Sequence, residues 1–363
     1  MPTTAEVLER LLQPRHVQRV EVLLSSDRSS VERVTLAPGE GLADRLVVKH
    51  FLASSGFARE AAALSVLPTG LPVPALIAED RAERVLVMTD VGDGPSVADA
   101  LLGADPRAAQ EALGAWVEAL AKVHHSTGDL RNSFFAALAE RGPDGLVKIA
   151  PMPEWLAGVP DALRAANAGL EVPLEVVDDL EALGAGLEEE EWETLSPGDT
   201  CPDNNVITGP CLALIDFEEA DFRHVAWDLA YLRVPWPSCW CAWGIPEPVA
   251  SAALGRYFTA MKGTAIGADR TTFDRIVEQA TLAWALISAS WFLPSGLRRN
   301  DTMGPPEFAA PPRRATVLER FRLAADTAES LGFLTLEKAA RSWHQTVERI
   351  WGAQTLPTAP ALR

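Results

Sequence analysis

Apolar positions along the chain follow two regimes. Over residues 1–92 short β-branched and aliphatic runs alternate with turn residues at 20–24, 31–36, 46–51, 73–77 and 84–89, the pattern of short strands. Pro74 lies in the fourth run and has no N–H to give a ladder, so that run reads as an edge strand or an extended connection. One helical stretch, 57–67, interrupts the strands and is closed by Pro68. A hinge-like Asp-Val-Gly-Asp-Gly-Pro follows at 90–95. The apolar period then becomes helical: from the Asp105-Pro106 pair, suited to N-cap and first turn, to His124, and again at 249–261, 271–292, 313–331 and 336–351. Residues 193–221 break this pattern as loop, strand, turn at Thr208-Gly209-Pro210, and a second strand at 211–215 that runs into Asp216. The tail at 355–363, with Pro357 and Pro360, reads as frayed. The expected architecture is α+β: a small β-rich lobe at 1–92 and a larger, mostly helical lobe at 93–363.

Composition narrows the function classes. The chain has 363 residues, 48% hydrophobic and 23% charged, an ordinary globular balance with enough length to bury a large core. Its net charge of −18 excludes a nucleic-acid partner bound through phosphate backbone and favours a cationic small molecule. The longest apolar run, 280–293, carries Thr281, Ser288 and Ser290 and falls short of the roughly 20 residues a membrane span needs. The N-terminus shows no basic segment followed by an apolar one, so the expected location is the cytoplasm, with reduced thiols. Cys201, Cys211, Cys239 and Cys241 do not have the spacing of a zinc knuckle and read as free, at least partly buried thiols.

Candidate chemistry concentrates in Gly198-Asp199-Thr200-Cys201-Pro202-Asp203-Asn204-Asn205 and in Ile215-Asp216-Phe217. Phosphoryl transfer from a nucleotide needs one carboxylate to orient the attacking hydroxyl, and an amide oxygen plus a second carboxylate to hold Mg²⁺ against the phosphates. Asp199, Asn204 and Asp216 supply that set, although Asp and Asn also serve simply to cap turns. Upstream, Lys49 ends an apolar strand in a chain with 32 basic residues, nearly all arginine, and Glu60 follows on a helix. A strand lysine held by a helix glutamate can reach nucleotide phosphates. Otherwise the two make an exposed ion pair of little worth. The strand through Met88 and Thr89 into Val91 could offer its backbone to a nucleobase.

These features together resemble the aminoglycoside phosphotransferase family, small-molecule kinases with a protein-kinase-like fold. The resemblance rests on V-V-K at 47–49, R-E-A at 59–61, L-V-M-T-D-V-G-D-G at 86–94, A-K-V-H at 121–124, G-D-T-C-P-D-N-N at 198–205, I-D-F-E at 215–218 and W-D-L-A at 227–230. It implies a two-lobed fold and transfer of the γ-phosphoryl group of ATP or GTP to a hydroxyl of a small-molecule acceptor. Asp199 would be the base, Asn204 and Asp216 the Mg²⁺ ligands, and Lys49 the phosphate contact partnered by Glu60. Ser29 and Ser30 would belong to the phosphate-covering loop, and Asp228 would be structural. Pro197 and Cys201 stand where the family usually has histidines, and the loop at 25–30 has no glycine. A kinase-like protein without turnover, acting as a regulatory or scaffold partner, is the alternative.

Three further features bear on the acceptor. Trp236, Trp240 and Trp243 lie in a proline-pinned stretch that either packs between helices or forms a pocket wall, with Trp236 and Trp240 as candidates. Glu218, Glu219 and Asp221 could face a cationic acceptor. The acidic run 188–191 reads as a solvated helix end, and Arg298 and Arg299 before Gly304-Pro305-Pro306 suggest a lid.

Overall fold

The strand-rich start folds as one antiparallel sheet because its apolar residues sort by period two onto two faces. The computed structural model describes residues 3–12, 17–38, 44–52, 56–142, 152–302, 304 and 309–363. The N-terminal elements are α1 (Thr4–Leu11), β1 (Val17–Ser25), β2 (Ser29–Leu36), β3 (Arg45–Phe51), α2 (Phe57–Val66), β4 (Leu76–Asp80) and β5 (Val85–Thr89). The sheet order is β1-β2-β3-β5-β4. β4 is an edge strand, and Pro74 precedes it. Val34, Leu46, Val48, Val85 and Val87 form one face, packed under Val7 and Leu8 of α1. Val47, Lys49, Leu86 and Met88 alternate onto the other face, towards the second lobe. The pattern reading had no α1, although Thr3 and Glu6 close a reciprocal capping box at its start.

The second lobe begins with α3 (Val97–Leu102), α4 (Pro106–His125), α5 (Arg131–Glu140), α6 (Met152–Ala157), α7 (Val159–Ala165) and α8 (Glu175–Ala185). Two short antiparallel pairs follow: β6 (Glu193–Ser196) with β9 (Asp221–His224), and β7 (Asn205–Thr208) with β8 (Cys211–Leu214). Then come α9 (Ala226–Leu229), α10 (Glu247–Ala260), α11 (Arg270–Arg298), α12 (Arg313–Leu331) and α13 (Leu334–Trp351). The fold is thus α+β, with a small sheet lobe and a larger helical lobe.

The structure corrects two of the expectations here. α11 runs through Pro294 to Arg298, and by length and composition it could cross a membrane, contrary to the pattern reading. It is instead the central core helix, with 83% of its most apolar window buried. The tail is docked rather than frayed: Gly244 N–H donates to Pro357 O, Ala359 N–H donates to Gly244 O, and Ala359 is fully buried. Apolar Ala359 and Ala361, which enter the core, outweigh the prolines beside them. Pro305 and Pro306 of the expected lid lie outside the described residues.

Candidate active site

Lys49 sits on β3, flanked by β2 and β5, and its side chain is almost wholly buried. Its Nζ donates to Glu60 Oε2 at 2.7 Å and Asp216 Oδ1 at 2.6 Å, and lies 3.2 Å from Glu218 Oε2. Burial alone would lower the ammonium pKa, but Glu60, Asp216 and Glu218 together raise it, so Lys49 stays charged. Three carboxylates around one ammonium leave a surplus of negative charge, which a further cation would offset.

The loop after β6 is shaped by Gly198. Its φ is +89°, and a Cβ there would lie 1.9 Å from Glu219 O, so only glycine fits. The turn is held from below. Ser196 Oγ accepts from Gly198 N–H and donates to Asp228 Oδ1, both at 3.0 Å. Asp228 is fully buried, bonded also to Arg223 and to His124 Nε2 at 3.1 Å. Burial pushes its carboxyl up, but Arg223 and His124 outweigh it, so the net shift is downward. Asn204 Nδ2 donates to Asp199 O at 3.0 Å, and Ile215 N–H donates to Asn204 O at 3.1 Å. These bonds tie the Asp199 loop to the turn that carries Asp216, whose φ of +66° is left-handed.

Asp199, Asp203, Asn204, Asp216, Glu218 and Glu219 line one cavity of about 350 Å³, with Arg28, Arg313, Phe292 and Trp240 around it. Burial, then the neighbouring Glu219, Asp216 and Asp203, pushes Asp199 up to about 7. Ser238 Oγ donates to Asp199 Oδ1 at 3.4 Å and lies 2.8 Å from Tyr231 OH. Because a carboxylate only accepts, this chain runs from Tyr231 through Ser238 to Asp199. Trp240 Nε1 donates to Asp203 Oδ2 at 2.8 Å, which fixes the indole as a wall.

Cys201 and Cys239 are joined in a disulfide beside this cavity, with Cα atoms 5.9 Å apart. The expectation of free thiols fails for these two, because the fold brings the Asp199 loop against the tryptophan-rich stretch. Cys211 is free and exposed, and Cys241 is free and buried. Asn204 through its amide oxygen and Asp216 through its carboxylate could hold a divalent ion: oxygen ligands are what Mg²⁺ prefers, and the adjoining surplus of carboxylates favours a cation.

A sequence model of the phosphotransferase enzyme family APH matches residues 22–266. The chain belongs to that family. No curated protein matches it significantly. Solved structures with fold-level similarity to this phosphotransferase-family chain include three kinases. A choline/ethanolamine kinase family protein from Mesorhizobium loti is 17% identical over 89% of this chain and 92% of that one, with a TM-score of 0.50. A choline kinase from Cryptosporidium parvum Iowa II is 12% identical over 91% and 93%, TM-score 0.52. A Plasmodium vivax ethanolamine kinase is 11% identical over 89% and 84%, TM-score 0.51. The fold of this family member is therefore kinase-like.

The candidates divide by position. Asp199, Asn204, Asp216, Glu218, Glu219 and Trp240 line the cavity, and Lys49 and Glu60 lie behind Asp216. The others stand apart from it. Trp236 is fully buried against Trp116 and Tyr231, so its indole is core rather than pocket wall. Asp221 pairs with Arg59. Ser29 is buried, and Ser30 sits in the ladder opposite His50. Met88 is buried opposite Val47. Thr89 N–H donates to Ala75 O, and Val91 O accepts from the Thr208 hydroxyl. Sequence reasoning passed over Arg28, Asp203, Ser238 and Arg313. Asp203 was within reach, since it lies inside the Pro-Asp-Asn-Asn motif. The rest come from elements distant in sequence.

Proposed function

We propose that the protein transfers the γ-phosphoryl group of a Mg²⁺-bound nucleoside triphosphate, ATP or GTP, to a hydroxyl of a small cationic molecule. The observation that carries this reading is the convergence of Asp199, Asn204 and Asp216 on one cavity, with Lys49 held by Glu60 behind it. Asp199 orients the acceptor hydroxyl and, with a carboxyl pushed up to about 7, can accept its proton. Lys49 contacts the phosphates. Asn204 and Asp216 hold Mg²⁺, which supplies charge neutralisation on the phosphates when bound. Glu218, Glu219 and the Trp240 face suit a hydroxylated amine, the class to which choline, ethanolamine and aminoglycosides belong.

The test is calorimetric titration with ATP and GTP, with and without Mg²⁺, on the wild type and Asp216→Ala. The reading predicts Mg²⁺-dependent binding that the variant loses. Binding that ignores both Mg²⁺ and the substitution would sink it. A regulatory or scaffold role without turnover draws on the glycine-free tip of the β1–β2 hairpin. It predicts a folded protein that transfers no phosphoryl group, whether it binds nucleotide or not.

A further inference from the structure

The β1–β2 hairpin tip spends three of its backbone donors on itself. Ser26 N–H donates to Ser29 O at 2.9 Å. The N–H groups of Arg28 and Ser29 donate to Ser26 Oγ at 3.1 and 3.0 Å. Arg28 O accepts from Leu52 N–H at 2.7 Å, which pins the tip to the end of β3. A loop closed this way cannot turn those donors towards an anion without breaking its own bonds.

The Arg28 side chain points the other way. It is 67% exposed, lines the cavity, and places Nη1 3.2 Å from Glu218 Oε1. The second oxygen of Glu218 is 3.2 Å from Lys49 Nζ. Arg28, from the β1–β2 turn, and Lys49, from β3, thus share one carboxylate. An ion pair with so exposed a guanidinium is weak, so Glu218 parks Arg28 over the site without locking it there. A planar guanidinium grips phosphate oxygens with two parallel hydrogen bonds, which a carboxylate-bound neighbour can surrender to it.

We propose that Arg28 binds the terminal phosphates of the nucleoside triphosphate, doing by side chain what the committed backbone of the hairpin tip does not. This rests on the nucleotide site proposed above. On phosphate binding, Arg28 exchanges Glu218 for phosphate oxygens, and Lys49 keeps Glu60.

The test is calorimetry on the wild type, Arg28→Ala, Arg28→Lys and Lys49→Ala, with Mg·ATP against adenosine and Mg·GTP against guanosine. Arg28→Ala should weaken the triphosphate by about tenfold to a hundredfold, the worth of a charged hydrogen-bonding partner, and leave the nucleoside unchanged. Arg28→Lys should recover part of the loss, since it keeps the charge without the fork. Wild-type triphosphate affinity in Arg28→Ala, or equal losses for triphosphate and nucleoside, would overturn the proposal. A wild type that binds neither triphosphate, or a Lys49→Ala protein with undiminished affinity, would overturn the nucleotide site itself, and the role of Arg28 with it.

Discussion

The disulfide between Cys201 and Cys239 permits a quantitative prediction. Its partners are 38 residues apart in sequence, so it closes a sizeable loop in the unfolded chain. The loop-entropy relation then gives about 4 kcal/mol of stabilisation at 25 °C. Cys201→Ser together with Cys239→Ser should therefore lower the unfolding free energy by about 4 kcal/mol in urea titrations, and a dithiol reductant should have the same effect on the wild type. Turnover should fall as well, because Cys201 lies two residues after Asp199 and Cys239 adjoins Ser238, which donates to Asp199. Thiol counting is the direct control. The denatured, unreduced protein should show only Cys211 and Cys241 as reactive thiols, and the native protein only the exposed Cys211. Four reactive thiols in the unreduced protein, or a serine pair as stable as the wild type, would refute the reasoning.

Three other outcomes follow from the same geometry. Gly198→Ala should cost about 3 kcal/mol or more, or prevent folding, because its Cβ would meet Glu219 O at 1.9 Å with φ at +89°; thermal melts near the wild type would contradict this. His224 is buried against Trp192, and burial pushes its pKa down to about 4 from an ordinary 6.5. The unfolded chain takes up that proton first, so the His224 contribution to stability is full above about pH 6.5. It falls by about 3 kcal/mol as pH drops towards 4, so the change in unfolding free energy between pH 7.5 and 4.5 should differ by about that amount between the wild type and His224→Gln, and equal changes in the two would contradict this. Trp236→Ala should cost about 3–5 kcal/mol of stability as a core truncation, whereas Trp240→Ala should mainly raise the acceptor KM; the reverse split in melts and kinetics would reassign the two indoles.

The two-lobed fold was legible because its strands and long helices carry strong apolar periods. Lys49, Asp199, Asn204 and Asp216 were legible because they lie in short motifs whose order along the chain is informative. Other features depend on contacts between distant segments. Trp236 and Trp240 share one local pattern, yet one packs on Trp116 of α4 and the other is turned outward by Asp203. No spacing rule pairs Cys201 with Cys239. The docked tail depends on Gly244, which lies far upstream. The capping box of α1, by contrast, is readable as Thr3-x-x-Glu6 ahead of the apolar Val7 and Leu8.

The most direct test of phosphoryl transfer is a mass-spectrometric assay with Mg·ATP and Mg·GTP against hydroxylated amines, including choline, ethanolamine and aminoglycosides. It should be run on the wild type and Asp199→Ala, with nucleotide binding measured in parallel. A phosphorylated acceptor from the wild type, and none from an Asp199→Ala protein that still binds nucleotide, is the predicted result. Wild-type turnover by Asp199→Ala, or no transfer by a wild type that is folded and binds neither nucleotide, would contradict it.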